Sequence, residues 1–339
     1  MTFVKTMVDE HFTSRRVVVT GGLGFIGSNL AHRLVSAGAM VTLVDSMVPT
    51  QGGNMFSVNG IRDRLQVVMG DAGDMELMRP IISEADYLFN LAGQNSHLDS
   101  MIDPFADMAG NVTAQLALLE VCRAVNPAVG IVFASTRQVY GKPDALPVTE
   151  AHPVRPVDIN GIHKVAGEQY HLLYQRVYGL RTCALRLTNT YGPRMRIKDA
   201  RQTFLGTWVR QILSGECVTV FGSGAQRRDF TYVDDCVEAM LLAATNPVAV
   251  GKLYNLGGMQ VVSLAELADR MTMLGYGGSW RAVPFPPDRQ KIDIGDYYAD
   301  YSLIEQELGW KPTIGLDEGL RRTLAWFSEF GQHYRGVDA

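Results

Sequence analysis

Cysteine is scarce in this sequence. Cys122, Cys183, Cys217 and Cys236 are spread through 339 residues with no C-x-x-C pair. That excludes a disulfide-stapled scaffold and a thiol redox motif. The four are expected to be reduced, buried thiols of a cytoplasmic chain. No apolar run approaches the roughly 20 residues of a membrane span, so no membrane partner is expected. Charge of one sign is lacking too: 31 Lys and Arg against 35 Asp and Glu leave a net −4. Without a dense basic stripe, nucleic acid is not an expected partner. The basic stretch 194–202 has no interleaved aromatics and reads as a substrate-side loop. The seven histidines show no H-x-x-x-H pairing with a carboxylate, so no metal site is expected. Internal repeats and low-complexity segments are absent. The first fifteen residues lack the apolar core of a signal peptide and read as a loose leader.

What is present is a regular alternation. Short β-branched runs over 17–19, 40–44, 65–68, 87–91, 130–134 and 182–187 read as strands. Amphipathic stretches over 25–36, 75–83, 104–124 and 158–178 read as helices between them. Strands alternating with helices of this length predict βαβ units and a doubly wound parallel sheet. Hydrophobic residues make up 47%, enough for a large core, and the length suggests about two domains. After Tyr191-Gly192-Pro193 the texture changes to Gly, Pro and Arg with longer loops. The expected division is an α/β domain over 1–190 and a smaller C-terminal substrate-binding lobe over 191–339. Residues 253–256 are expected to return as a strand to the first sheet. Trp208, Trp310 and Trp326 read as core residues.

The first strand runs into Thr20-Gly21-Gly22-Leu23-Gly24-Phe25-Ile26-Gly27 and then a helix. Two registers fit: Gly22, Gly24 and Gly27, or Gly21, Gly24 and Gly27. Both give a tight turn, close backbone approach to a pyrophosphate, and helix N-terminal N–H groups at Phe25 and Ile26 aimed at it. An acidic residue, Asp45, ends the second strand about 20 residues on, where a carboxylate accepts ribose hydroxyls and repels a 2′-phosphate. The expected domain is therefore Rossmann-type and its cofactor NAD. Asp71, after the third strand, is either an acceptor for the adenine amine or a loop cap.

The fifth strand ends in Ser135-Thr136-Arg137-Gln138-Val139-Tyr140-Gly141, placing a hydroxyl where ligands bind at the carboxyl ends of parallel strands. Asn160 and Lys164 are four apart and share one helix face. Arg137 is a candidate for an anionic substrate group such as a uronate carboxylate; the other reading is a surface salt bridge.

On these residues the chain resembles the extended short-chain dehydrogenase/reductases, the family of NAD-dependent nucleotide-sugar epimerases and dehydratases. The resemblance runs over about 17–327. It rests on TGGLGFIG, NLAGQ, STRQVYG, HKVAGEQY, RLTNTYGPR, RRDFTYVDD and ELGWKP. It implies transient oxidation of a sugar hydroxyl on NAD, with a Ser/Thr, a Tyr and a Lys at work. Thr136 and Lys164 match the hydroxyl residue and the lysine. The tyrosine position is Asn160, and an amide has no titratable proton. His97, His163, Tyr140 or water is then the base; His163, one residue from Lys164, is turned about 100° round the helix and also reads as a surface or interface histidine. Dehydratases and decarboxylases carry acidic residues where this chain has Arg137 and Gln138. The resemblance therefore implies an epimerase like UDP-glucose 4-epimerase, with a UDP-type nucleotide sugar as substrate. A dehydratase or decarboxylase with rearranged groups, or a weakened nucleotide-sugar-binding protein, are the other readings. The resemblance also assigns Asn189 to the substrate phosphates, Arg228 and Arg289 to the pyrophosphate, Asn111 to buttressing the catalytic helix, and a homodimer through 104–124 and 158–178. For Arg228 the rival reading is a salt bridge to Asp234 or Asp235.

Overall fold

The run RVVVT forms β1 (Arg16–Thr20), an interior strand with Val17 to Thr20 buried, as a strand covered on both faces requires. The computed structural model describes residues 8–335. From β1 the chain continues through α1 (Phe25–Ser36), β2 (Met40–Asp45), β3 (Leu65–Met69), α2 (Met75–Ser83) and β4 (Tyr87–Asn90). Next come α3 (His97–Ile102), α4 (Pro104–Met108), a π-helical segment Ala109–Thr113, and α5 (Ala114–Val125). They lead to β5 (Gly130–Thr136), α6 (Ile159–Tyr178) and β6 (Arg181–Leu187). Beyond β6 lie β7 (Asn189–Tyr191), α7 (Phe204–Leu213), β8 (Cys217–Phe221), β9 (Arg227–Tyr232), α8 (Val233–Thr245) and β10 (Leu253–Asn255). The chain ends with β11 (Val261–Ser263), α9 (Leu264–Met273), β12 (Ser279–Val283), α10 (Ser302–Leu308) and α11 (Leu316–Phe330).

Among the described residues, seven parallel strands form the central sheet in the order β10-β6-β5-β4-β1-β2-β3. This is the doubly wound α/β fold that the alternation predicts. The strand order reverses between β1 and β4, so the crevice for a ligand opens there. Residues beyond 190 enter this body: β10 pairs with β6, and α8 packs beside α1 and against β5 and β6. Elsewhere β7, β9 and β11 form a small mixed sheet, and β8 pairs with β12.

Two sequence expectations are corrected. The stretch read as a loose leader is helical over 8–12, with Val8 and Phe12 buried. These two are four apart, so one helical turn aims both inward, and the Phe12 ring meets Tyr87 at 5.3 Å. Residues 1–7 of that stretch lie outside the described residues. The helix expected over 104–124 is interrupted by the π-helical segment, which turns Asn111 into the interior. Such segments recur at functional sites.

Helix α6 carries Asn160 and Lys164, and its ends are fixed locally. Asp158 caps it by accepting the Gly161 N–H at 2.6 Å, and Gly179, at φ +75°, stops it. Its middle is fixed by a buried ion pair. Glu168 receives Arg186 through two hydrogen bonds of 2.9 and 2.6 Å and Ser135 Oγ at 2.8 Å. That joins α6 to β5 and β6. Arg186 also lies 4.5 Å over the Tyr140 ring. Replacing Arg186 by Met leaves the Glu168 carboxylate buried without its cation. We expect a loss of about 3–5 kcal/mol of stability, read from urea unfolding.

Candidate active site

The glycine turn resolves into one register. Gly21 adopts φ +65°, and a Cβ there would come within 3.0 Å of the Leu91–Ala92 backbone. A Cβ on Gly27 would lie 2.3 Å from the Gly21 carbonyl oxygen. Both positions need glycine for space. Gly22 packs on Leu43 with no room for a Cβ either, but it does not line the cleft. Gly21, Gly24, Phe25, Ile26 and Gly27 line one wall of a cleft of about 840 Å³. Asp45 lies on the same wall at the end of β2. Its carboxylate accepts the N–H of Leu23 at 3.0 Å and of Met47 at 2.9 Å, and burial raises its pKa. Two backbone donors fix the carboxylate and leave lone pairs for ribose hydroxyls. Asp71 borders the cleft and caps its own loop, accepting from Gly73 N at 2.8 Å. These residues fit a dinucleotide: the glycines leave room for a pyrophosphate, and Asp45 stands ready for a ribose.

The other end of the cleft is lined by His97, Thr136, Arg137, Asn160, Lys164 and Asn189. Thr136 ends β5, and its hydroxyl accepts the Gln138 N–H at 3.2 Å. Lys164 is buried, with Nζ 5.4 Å from the Phe133 ring centroid. Burial pushes its pKa down to about 8, against the opposing charge of Asp107. Asn111 Oδ1 is buried without a partner among the described residues. A Cβ on Gly93 would lie 2.4 Å from that oxygen and 3.1 Å from Lys164 Nζ. The lysine and the asparagine therefore face the same narrow space.

Asn160 does not point its amide N–H groups at the cleft. Both are taken by the scaffold, one by the Gln94 carbonyl at 2.8 Å and one by Asp107 Oδ2 at 2.9 Å. Asp107 also receives Asn111 at 3.1 Å and lies 2.7 Å from His163 Nδ1. His163 is thus off the cleft wall: it is partly buried on α6 with its ring held by Asp107. Tyr140 is removed as a base as well. Its hydroxyl is buried and donates to Asn255 at 2.6 Å, and burial raises its pKa.

His97 has a different setting. It opens α3 on the cleft wall, and its Nδ1 is 3.0 Å from Asp158 Oδ2. The pair is at ion-pair distance but off the line of a regular hydrogen bond. Nδ1 is shielded while the side chain stays 35% exposed. The accessible edge of the ring is therefore the one away from Asp158. Burial raises the Asp158 carboxyl, but His97, Gly161 and Gln138 outweigh it and hold the carboxyl below the usual range.

On the substrate side Asn189 bridges Arg137 and β9. It accepts Arg137 Nη2 at 3.0 Å and donates to the Asp229 carbonyl at 2.9 Å. Arg137 makes no surface salt bridge; its Nη1 is buried without a partner, and its guanidinium lies 5.3 Å from the Tyr297 ring centroid. Arg228 is buried behind this wall rather than on it. It donates to the carbonyls of Arg227 and Gly295 and lies 3.7 Å from Asp293. Burial, then the neighbouring charge of Arg137, lowers its pKa to about 10. Arg228 pairs with Asp293 rather than with Asp234 or Asp235, and Asp235 is occupied by Thr313 and Ile314. Arg289 stands outside the cleft lining, stacked 5.4 Å over Phe221. Sequence reasoning missed Asp107, Gln94 and Asp158. A signal existed for the first: Asp107 and Asn111 are four apart, the spacing of Asn160 and Lys164.

The model of the NAD dependent epimerase/dehydratase family matches residues 17–257. A putative UDP-glucose 4-epimerase of Methanocaldococcus jannaschii is 33% identical over 91% of this chain and 97% of its own. UDP-glucuronic acid decarboxylase 1 of Xenopus tropicalis is 30% identical over 94% of this chain and 73% of its own. The crystal structure of Thermus thermophilus UDP-glucose 4-epimerase complexed with NAD superposes with TM-score 0.81 at 29% identity. It covers 92% of this chain and 98% of that one. Replacing Asp45 by Arg should abolish retention of NAD through gel filtration, read by absorbance and by enzymatic assay of released cofactor. Retention equal to that of the unaltered protein would remove Asp45 from the site.

Proposed function

The chain belongs to the NAD dependent epimerase/dehydratase family, and from that premise we propose that it is a nucleotide-sugar epimerase, similar to UDP-glucose 4-epimerases, with His97 as its base. Its cofactor is NAD, which when bound takes a hydride from a sugar carbon and gives it back. One observation carries this reading: His97 stands on the cleft wall against Asp158, while Asn160 has both donors committed to the scaffold.

His97 removes the proton of a sugar hydroxyl at Nε2, the ring nitrogen away from Asp158. The Asp158 carboxylate orients the ring and stabilises the imidazolium that forms. Thr136 holds the reacting hydroxyl from the end of β5. Lys164 binds the ribose of the nicotinamide half and keeps positive charge over the site at neutral pH. Its pKa of about 8 leaves most of it protonated there. The oxidised sugar turns in the cleft so that its carbonyl offers the opposite face to the returning hydride; the imidazolium gives its proton back to the oxygen, and the substrate leaves with one carbon inverted.

Elimination and decarboxylation find little support. Gln138, an amide, is buried and donates to Asp158 at 2.8 Å, and Arg137 carries no exchangeable acid function near neutral pH. The nucleotide is of the UDP type, with Asn189 as the phosphate contact and Arg228 fixing the wall behind it. Exposed Ile102, Phe105, Ile162 and Val177 lie on α3, α4 and α6 and support a homodimer through these helices.

Two measurements test the reading. Incubation with UDP-, GDP-, CDP- and dTDP-sugars in deuterated water, followed by NMR, should give a product inverted at one carbon. The hydrogen there should be the original one, since it leaves and returns as hydride. Loss of water or carbon dioxide, or nucleotide binding without turnover, would overturn the proposal. In His97→Gln, kcat should fall about 10²–10⁴-fold with NAD retained. An unchanged kcat would exclude His97.

A further inference from the structure

Among the described residues, Arg137 lines the cleft with no carboxylate paired to its guanidinium. Among the described residues its guanidinium has a single hydrogen-bond partner, the neutral side-chain oxygen of Asn189 at 3.0 Å. Nη1 is buried with none. The Tyr297 ring covers one face of the fork at 5.3 Å, so the free edge is held flat and in place. Three carboxylates are near enough for their fields to reach Arg137: Asp229, Asp293 and Asp158. All three are committed elsewhere. Asp229 receives Thr188, Gly258 and Ala299. Asp293 receives Gln226 and Gly295 and pairs with Arg228. Asp158 receives Gly161 and Gln138 and faces His97. A planar cation fixed by an aromatic face, with one donor edge unused, suits an anion that brings two oxygens.

The position says which anion. Arg137 follows Thr136 directly, at the carboxyl end of β5. The field of Asp158, the partner of His97, reaches it. Arg137 therefore belongs to the end of the cleft where the sugar hydroxyl reacts.

We propose that Arg137 is a carboxylate-binding residue of the sugar subsite, and that the substrate is a nucleoside diphosphate uronate, a sugar bearing a carboxylate. The unused edge of the guanidinium takes the two carboxylate oxygens, and Asn189 sets the plane of the fork. The contact binds without reacting. It supplies specificity, because a neutral sugar leaves the buried Nη1 unpaired. The proposal rests on the nucleotide-sugar reading above and narrows its substrate.

Titration calorimetry of the NAD-loaded protein with UDP-glucuronate, UDP-glucose and UDP tests it, with Arg137→Gln and Arg137→Lys alongside. The unaltered protein should bind UDP-glucuronate at least 10-fold more tightly than UDP-glucose. Arg137→Gln should erase that preference and leave the affinity for UDP within 2-fold. Arg137→Lys should keep part of the preference, since it retains charge but loses the fork. A fall in UDP affinity equal to the fall for UDP-glucuronate would assign Arg137 to the diphosphate and overturn the proposal. Equal affinities for the two sugars in the unaltered protein would overturn it too, while leaving the epimerase reading standing. No binding of UDP at all would overturn both.

Discussion

A single buried carboxylate, Asp107, sets the geometry of the reacting end. Withdrawing an anion from water costs several kcal/mol unless donors and counter-charge replace the water. Here Asn111, Asn160 and His163 gather on it, and Lys164 is the cation whose protonated form it favours. Satisfying Asp107 joins α4 and the π-helical segment to α6. It also turns the Asn160 amide away from the cleft. The position that carries a phenol in the resembled family thus serves as internal framework here, with both amide N–H groups of Asn160 bonded to the scaffold.

The cleft is electrostatically lopsided. At the cofactor end Asp45 is a half-buried carboxylate held by backbone N–H groups. At the other end Lys164 and Arg137 are buried cations with their charge only partly compensated. Between them, Asp158 answers to His97, Gln138 and the start of α6. A ligand with hydroxyls at one end and negative charge at the other suits this gradient. His97 thus stands beside a carboxylate already stabilised as the anion.

Much of this was legible in the sequence, for identifiable reasons. Strand–turn–helix order and β-branched runs are local signals, so β1 to β6, the glycine turn and Asp45 could be placed from spacing alone. The cleft residues Thr136, Lys164 and Asn189 could be placed from motif context. Three features could not be. The inward turn of residues 8–12 depends on Tyr87 and Phe89, far along the chain. The π-helical segment answers to Asp107 meeting α6, a tertiary demand with no local periodicity. His97 and Asp158 are sixty-one positions apart in sequence, and only the fold brings them together. Spacing alone also left the glycine register open; in the fold Gly21 lines the cleft while Gly22 packs on Leu43.

The returning strand β10 has a bearing on how the chain is made. Strand β6, almost wholly buried, has β5 on one side and, among the described residues, β10 alone to cover the other. Between the end of β6 and the start of β10 the ribosome must add the whole run from Thr188 to Lys252. Throughout that interval the nascent sheet presents an unpaired parallel edge, an open template for a neighbouring chain. Translation speed across that run, and chaperone cover for it, therefore bear on the yield of folded protein. A shortened chain ending near residue 190 would keep the glycine turn yet expose its stickiest edge permanently.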